Sequence, residues 1–263
     1  MAGDDTELIA RARTGDAEAI EALLAAYEPQ IYRFALRMCG NEDDARDTLQ
    51  ETMIAAFRGL SGFRGEARLS TWLYQIARSF CIKQRRPGAS VRADGEVPEG
   101  AAAPEDCEPD AKAHAREIGA ALAAALAALA PAYREAVVLR DVEGLSADEA
   151  AEVAGVEVGA LKSRLHRGRM ELRANLAALL GDDAAGPTPC PELAQELSAY
   201  VDAEIDQAAC AQVEAHLASC PRCAGACETL QRTVSLCRRI PGGEVPPPVR
   251  AAVRRALRTA IGA

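Results

Sequence analysis

The chain has 263 residues, of which 49% are hydrophobic and only 4% aromatic, and it carries a formal charge of −9. Alanine, leucine, arginine and glutamate dominate, and these are the best helix formers, while no stretch alternates Val, Ile, Tyr and Thr as a strand does. An all-α protein is predicted. Asp4, Asp5 and Glu7 in the first ten residues do not fit a signal peptide. The longest uncharged run, Ile118 to Tyr133, contains Pro131 and falls short of the ~20 residues that cross a bilayer. A cytoplasmic protein without a membrane partner is expected. The acidic excess is concentrated in residues 87–111, with a net charge of −6, and the flanking segments are nearly balanced. This excludes a uniformly basic surface but not a nucleic-acid partner.

From Leu8 to Arg86 the apolar spacing is helical. Ile20, Leu23, Leu24, Tyr27, Ile31, Phe34 and Leu36 form one face, with an interruption expected at Pro29. Gly40-Asn41 marks a turn, after which an acidic helix start, Asn41 to Asp47, suits the helix dipole. That helix continues through Leu49, Met53, Ile54 and Phe57. A break at Gly59 to Gly65 precedes another helix, Leu69 to Arg86, which ends in Lys83, Arg85 and Arg86.

Residues 87–111 hold Pro87, Pro98, Pro104 and Pro109, many acids and almost nothing bulky, so a flexible acidic linker is predicted. A second helical block spans Ala111 to Leu180. Ser146 and Glu149 have the spacing of a capping box, and Gly155 then separates a short helix from one beginning near Val158. The second helix carries Lys162, Arg164, Arg167, Arg169 and Arg173, with Leu161, Leu165 and Leu172 on its inner face. Helix, glycine turn and basic helix make a helix-turn-helix arrangement. Residues 182–263 contain six of the nine cysteines, for which metal binding or redox sensing is a better reading than a disulfide scaffold. No phosphate loop, HExxH or nucleophile motif is present, so an enzyme is not expected.

Asp43 to Arg58 (DDARDTLQETMIAAFR) and Phe63 to Arg86 (FRGEARLSTWLYQIARSFCIKQRR) resemble region 2 of extracytoplasmic-function (ECF) sigma factors, and Leu129 to Arg173 resembles their region 4. The resemblance implies a transcription initiation factor that binds core RNA polymerase and promoter DNA. By that likeness residues 1–86 are region 2, 87–111 a linker and 112–181 region 4. Asp44, Asp47, Gln50 and Glu51 would dock on the polymerase. Trp72, Ser79 and the loop Gly65 to Thr71 would meet the −10 element, with Arg68, Lys83, Arg85 and Arg86 on phosphates. Ser79 stands where relatives often carry asparagine, and Ala160 where many carry threonine. Lys162, Ser163, His166 and Arg167 would lie nearest the −35 base edges.

In residues 182–263, Cys190 is followed after 25 residues by His216, then by Cys220 and Cys223 as HxxxCxxC. This resembles the zinc-binding domain of anti-sigma factors and implies a small helical domain with a tetrahedral zinc site. Cys210, Cys227 and Cys237 exceed what one zinc needs. The chain is therefore similar to metal-responsive, CorE-like ECF sigma factors, and the three extra thiols are candidate ligands for copper, zinc or cadmium as signal. A purely structural zinc domain answering to another signal is the alternative. The resemblance further implies intramolecular contact between this tail and regions 2 and 4, and a metal-dependent activator role is favoured over pure restraint.

Overall fold

The computed structural model describes residues 4–65, 67–84, 109–180, 187–239 and 244–262, without the side chains of 4–5, 109–116 and 179–180. Arg85, Arg86, Cys107 and most of the predicted acidic linker lie outside the described residues. Among the described residues twelve α-helices follow in order: α1 (Asp4–Arg13), α2 (Ala17–Cys39), α3 (Glu42–Gly59), α4 (Leu69–Gln84), α5 (Pro109–Ala128), α6 (Pro131–Val137), α7 (Ala147–Ala154), α8 (Val158–Leu180), α9 (Ala194–Val201), α10 (Gln207–Ser219), α11 (Pro221–Arg239) and α12 (Pro247–Gly262). No strand occurs among the described residues. The all-α expectation holds.

The first unit comprises α1–α4 together with α12. Asp16 caps α2 by accepting from the backbone N–H groups of Glu18 and Ala19. The predicted interruption at Pro29 does not occur, because α2 runs unbroken through it. Proline removes one N–H from the helix ladder, but Ile31, Phe34 and Ala35 just beyond it are wholly buried, and that packing holds the helix together. Gly40 then takes the left-handed conformation, at φ +86°, and ends the helix. Asn41 caps α3 through a 2.8 Å bond from the Asp44 amide. Leu23, Leu24, Phe34, Leu49, Met53 and Leu73 fill the core of the three long helices, and Phe34 meets Tyr74 edge to face at 5.2 Å.

Helix α12 packs on α3 and α2. Val249, Val253 and Leu257, spaced four apart, are its buried stripe. Arg258 reaches Glu21 at 3.2 Å and Arg250 reaches Glu28 at 3.8 Å. The cysteine-rich 182–263 block is thus divided, since its last helix belongs with the first unit while α9–α11 belong with the second.

In the second unit, α6 runs into a π-helical turn, Val138–Val142. The capping box forms as predicted: Ser146 Oγ accepts from the Glu149 amide at 3.2 Å, and Glu149 accepts from the Ser146 amide at 2.8 Å. Gly155, at φ +63°, closes α7 in the left-handed conformation and lets α8 begin three residues later. Gly168 allows α8 to lie close against α6, because a Cβ there would sit 2.9 Å from Val137 Cγ2 and 3.0 Å from the Tyr133 carbonyl. Leu161, Leu165 and Leu172 face inward as read from the sequence. Helices α9–α11 enclose a second cluster of Leu197, Val213, Cys227, Leu230 and Val234, against which Met170 of α8 also packs.

Candidate nucleic-acid interface and metal centre

The exposed side of α8 carries the residues expected to read DNA. Lys162 and Arg167 are exposed, while Ser163 and His166 are half-buried. Arg167 donates to the Tyr133 hydroxyl at 3.4 Å. Lys162 pairs at 3.2 Å with Glu204, which follows α9. Glu204 also takes Arg140, from the π-helical turn, at 2.7 Å. His166 is pushed below its usual pKa by burial and then by Arg169, Arg167 and Arg173, and its Nδ1 has no hydrogen-bond partner. A cleft of about 340 Å³ lies between Lys162, Ser163 and His166 on one side and Glu196, Ser198 and Asp202 on the other.

The remaining basic residues of α8 do not all face outward. Arg169 is fully buried and binds both carboxylate oxygens of Asp141, with Nε 2.9 Å from Oδ2. It also binds both oxygens of Asp202, at 2.9 and 2.6 Å, and the Ser198 hydroxyl at 2.8 Å. Burial opposes its charge, but the two carboxylates outweigh that effect and raise its pKa. Arg173 is also buried and donates to Thr229 of α11 at 3.3 Å.

The four cysteine and histidine residues singled out by their spacing come together. One ligand atom from each of Cys190, His216, Cys220 and Cys223 lies within 4.8 Å of the others. His216 is in the last turn of α10, and Cys220 caps that helix immediately before α11 begins. Cys223 is in the first turn of α11, where its thiol accepts from the Cys190 amide at 3.2 Å. The Cys220 thiol is pulled down to about 7 because the Cys223 amide donates to it, which favours the thiolate a metal needs. Burial pushes the Cys223 thiol up. Nε2 of His216 is buried without a hydrogen-bond partner, and three soft sulfurs with one imidazole nitrogen suit a tetrahedral metal ion. These residues fit the metal.

The three additional thiols lie elsewhere. Cys227 is in the apolar cluster of α9–α11, and burial raises its pKa. Cys237 is 1% exposed and sits fourteen residues beyond Cys223, about 21 Å along the helix. Cys210 donates to Glu214 at 3.6 Å on α10.

In the first unit, Asp47 and Glu51 are exposed on one face of α3, and Asp44 and Gln50 are half-buried. Arg46 pairs with Asp43 at 3.0 Å and with Asp47 at 3.7 Å. Trp72, near the start of α4, is half-buried against Phe63 at 5.2 Å and covers Gly59, where a Cβ would come within 2.9 Å of its ring. Arg68, Ser79 and Lys83 are exposed, with Ser79 bonded to the Ile76 carbonyl and Lys83 over the Phe80 ring.

Residues 23–89 match the sigma-70 region 2 family, 119–172 match sigma-70 region 4, and 190–224 match a zinc-finger family. The chain is 30% identical over 190 residues to the ECF RNA polymerase sigma factor SigW of Bacillus subtilis, a match covering 65% of this chain and 96% of the relative. The chain is an ECF sigma factor. It is 37% identical over 168 residues to the ECF sigma factor SigE of Mycolicibacterium smegmatis, covering 62% of this chain and 65% of that protein. Among solved structures it is similar to CnrH in complex with the cytosolic domain of CnrY, at 26% identity and a TM-score of 0.48, covering 68% of this chain and 98% of that one. The sigma factor carries a fused zinc-finger domain after its region 4.

The Arg169 network is the part of this sigma factor that sequence reasoning missed. Its signal was present, because Arg169 falls four residues after Leu165 and three before Leu172, on the inner stripe of α8. The sequence reading named Arg169 only as one of the basic residues of this helix and assigned it to neither face.

Proposed function

We propose that this sigma factor docks on core RNA polymerase through α3, engages the −10 element with α4 and the loop before it, reads the −35 element with α8, and is restrained in cis by its metal-binding tail. Asp47 and Glu51 lie one turn apart and are open to a partner, which supports the docking role. Arg68, Ser79 and Lys83 share the exposed side of the −10 segment, and the half-buried Trp72 serves there as much by packing as by base contact. Arg167 is the open base-reading candidate on α8.

The observation that carries the regulatory reading is the Glu204 carboxylate on Lys162. An acid from the tail occupies a cation that DNA would otherwise claim, while Asp202 and Ser198 anchor the tail to α8 through Arg169. This supports restraint of region 4 in the arrangement described, not the activator role that the sequence reading favours. The tail reaches region 2 through α12, whose apolar stripe covers part of α2 and α3.

Zinc held by Cys190, His216, Cys220 and Cys223 would fix the junction of α10 and α11 and so keep the acidic face of the tail in place. Metal sensing of copper, zinc or cadmium would act through this site by changing how firmly the tail grips α8, since only a ligand that distinguishes two arrangements shifts their balance. The core positions of Cys227 and Cys237 favour the second reading, in which the zinc is structural and another signal acts. Run-off transcription by the wild-type and Cys227→Ser/Cys237→Ser proteins across added copper, zinc and cadmium separates the two, because only a sensing tail gives the wild-type protein a metal-dependent output. A lost metal response assigns these thiols to sensing, and an unchanged one or none at all leaves them as packing.

A further inference from the structure

A second sulfur pair lies far from the metal centre in sequence and belongs to the first unit. Cys39 is the last residue of α2, and Cys81 is in the last turn of α4. Their Sγ atoms are 2.8 Å apart. Both stand beside Thr48 of α3, at 3.6 and 3.8 Å from its hydroxyl, and Gln84 closes the group at 3.7 Å from Cys39 and 3.0 Å from Thr48. Cys81 is 1% exposed, whereas Cys39 is half-buried, at the edge beside the exposed Gly40. Three helices therefore hold two thiols almost in bonding contact, with one of them reachable from solvent.

We propose that Cys39 and Cys81 are a redox modification site that closes to a reversible disulfide on exposure to a peroxide. The Cys39 thiolate attacks one peroxide oxygen, the O–O bond breaks, and the leaving hydroxide is protonated to water, so that Cys39 becomes a sulfenic acid. Cys81 sulfur then attacks the Cys39 sulfur, the S–O bond breaks, and the second oxygen leaves as water with the Cys81 proton. Two thiols lose two electrons and one peroxide gains them. A covalent S–S bond is about 2.05 Å long, so the step asks for a sulfur movement of under ~1 Å. The fixed placement gives Cys81 an advantage over any thiol arriving from solution. The product staples the end of α2 to the end of α4, the helix that carries Ser79 and Lys83. All four of its residues belong to α2, α3 and α4, and none to the tail or the metal centre.

The full chain treated with hydrogen peroxide and digested with trypsin without reduction tests this. Cleavage after Arg37, Arg46, Arg78 and Lys83 releases residues 38–46 and 79–83, each with one of the two cysteines. A cross-linked pair of these peptides is expected, and it should disappear on adding dithiothreitol. The oxidised protein should melt roughly 10 °C higher by fluorescence of Trp72, the single tryptophan. The Cys81→Ser protein should gain no stability and should leave a Cys39 sulfenic acid that dimedone traps. Cys39→Ser, altered at the less buried position, serves as a second uncross-linkable control. Recovery of both peptides uncross-linked after peroxide, whether reduced or carried on to sulfinic acid, would overturn the assignment.

Discussion

Arg169 shows how one buried residue can join two functional segments. Its guanidinium is shared among Asp141, Asp202 and Ser198, so two carboxylates and a hydroxyl satisfy a fully buried cation. Burial raises the pKa of Asp141, and its bond to Arg169 opposes that rise. Arg169→Ala leaves Asp141 buried and unpaired, and should cost about 3–5 kcal/mol in urea unfolding. A loss under ~1 kcal/mol would mean that water or a neighbour already satisfies the acid. Glu28 presents a weaker case beneath α12. Burial raises its pKa above the ordinary 4.5, Arg254 and Arg250 pull it back, and one of its oxygens has no partner. A carboxyl whose folded pKa is raised adds stability below its ordinary value and loses it as pH rises through the raised one. Glu28→Gln should therefore stabilise the first unit by ~1 kcal/mol at neutral pH and flatten its pH dependence in mildly acid solution. Denaturant titration followed by Trp72 fluorescence gives both quantities, and an unchanged slope with pH would acquit Glu28.

At the scale of elements, local chemistry was legible and tertiary choice was not. The Ser146–Glu149 box, the Gly155 turn and the Asn41 start are all settled within four residues, so their spacing was enough. The cysteine and histidine cluster was legible for a related reason, since HxxxCxxC brackets a helix junction and only Cys190 comes from far away. The helix through Pro29 was not legible, because its support comes from packing beyond the proline. Helix α12 announced an apolar stripe but not what would cover it. The proposed role of α8 gives a direct prediction. Arg167 is exposed and held only by the Tyr133 hydroxyl, so Arg167→Ala should cost ~1–3 kcal/mol on the preferred −35 sequence and much less on scrambled DNA. Equal losses on both, measured by fluorescence anisotropy at one salt concentration, would make Arg167 a phosphate contact.

Across the whole molecule, the two sigma regions are followed by a fused zinc-finger tail, part of which packs against Met170 of α8. The sigma regions carry the exposed carboxylates of α3 and the basic residues of α8, and the tail sets Glu204 against Lys162 and gathers Cys190, His216, Cys220 and Cys223 into one cluster. Tethering keeps such a contact populated even when each pair is weak. The most direct test of the central claim is run-off transcription with core RNA polymerase on a promoter selected from randomised DNA, comparing the wild-type protein with Glu204→Lys. Reversing this one acid removes the carboxylate paired with Lys162 and one of the two paired with Arg140, and places a like charge beside them. At ~1 kcal/mol, roughly fivefold more transcript is predicted from Glu204→Lys than from wild type. Asp47→Lys/Glu51→Lys should be silent in the same assay. Equal output from wild type and Glu204→Lys, with both active, would contradict restraint of the −35 reader by the tail.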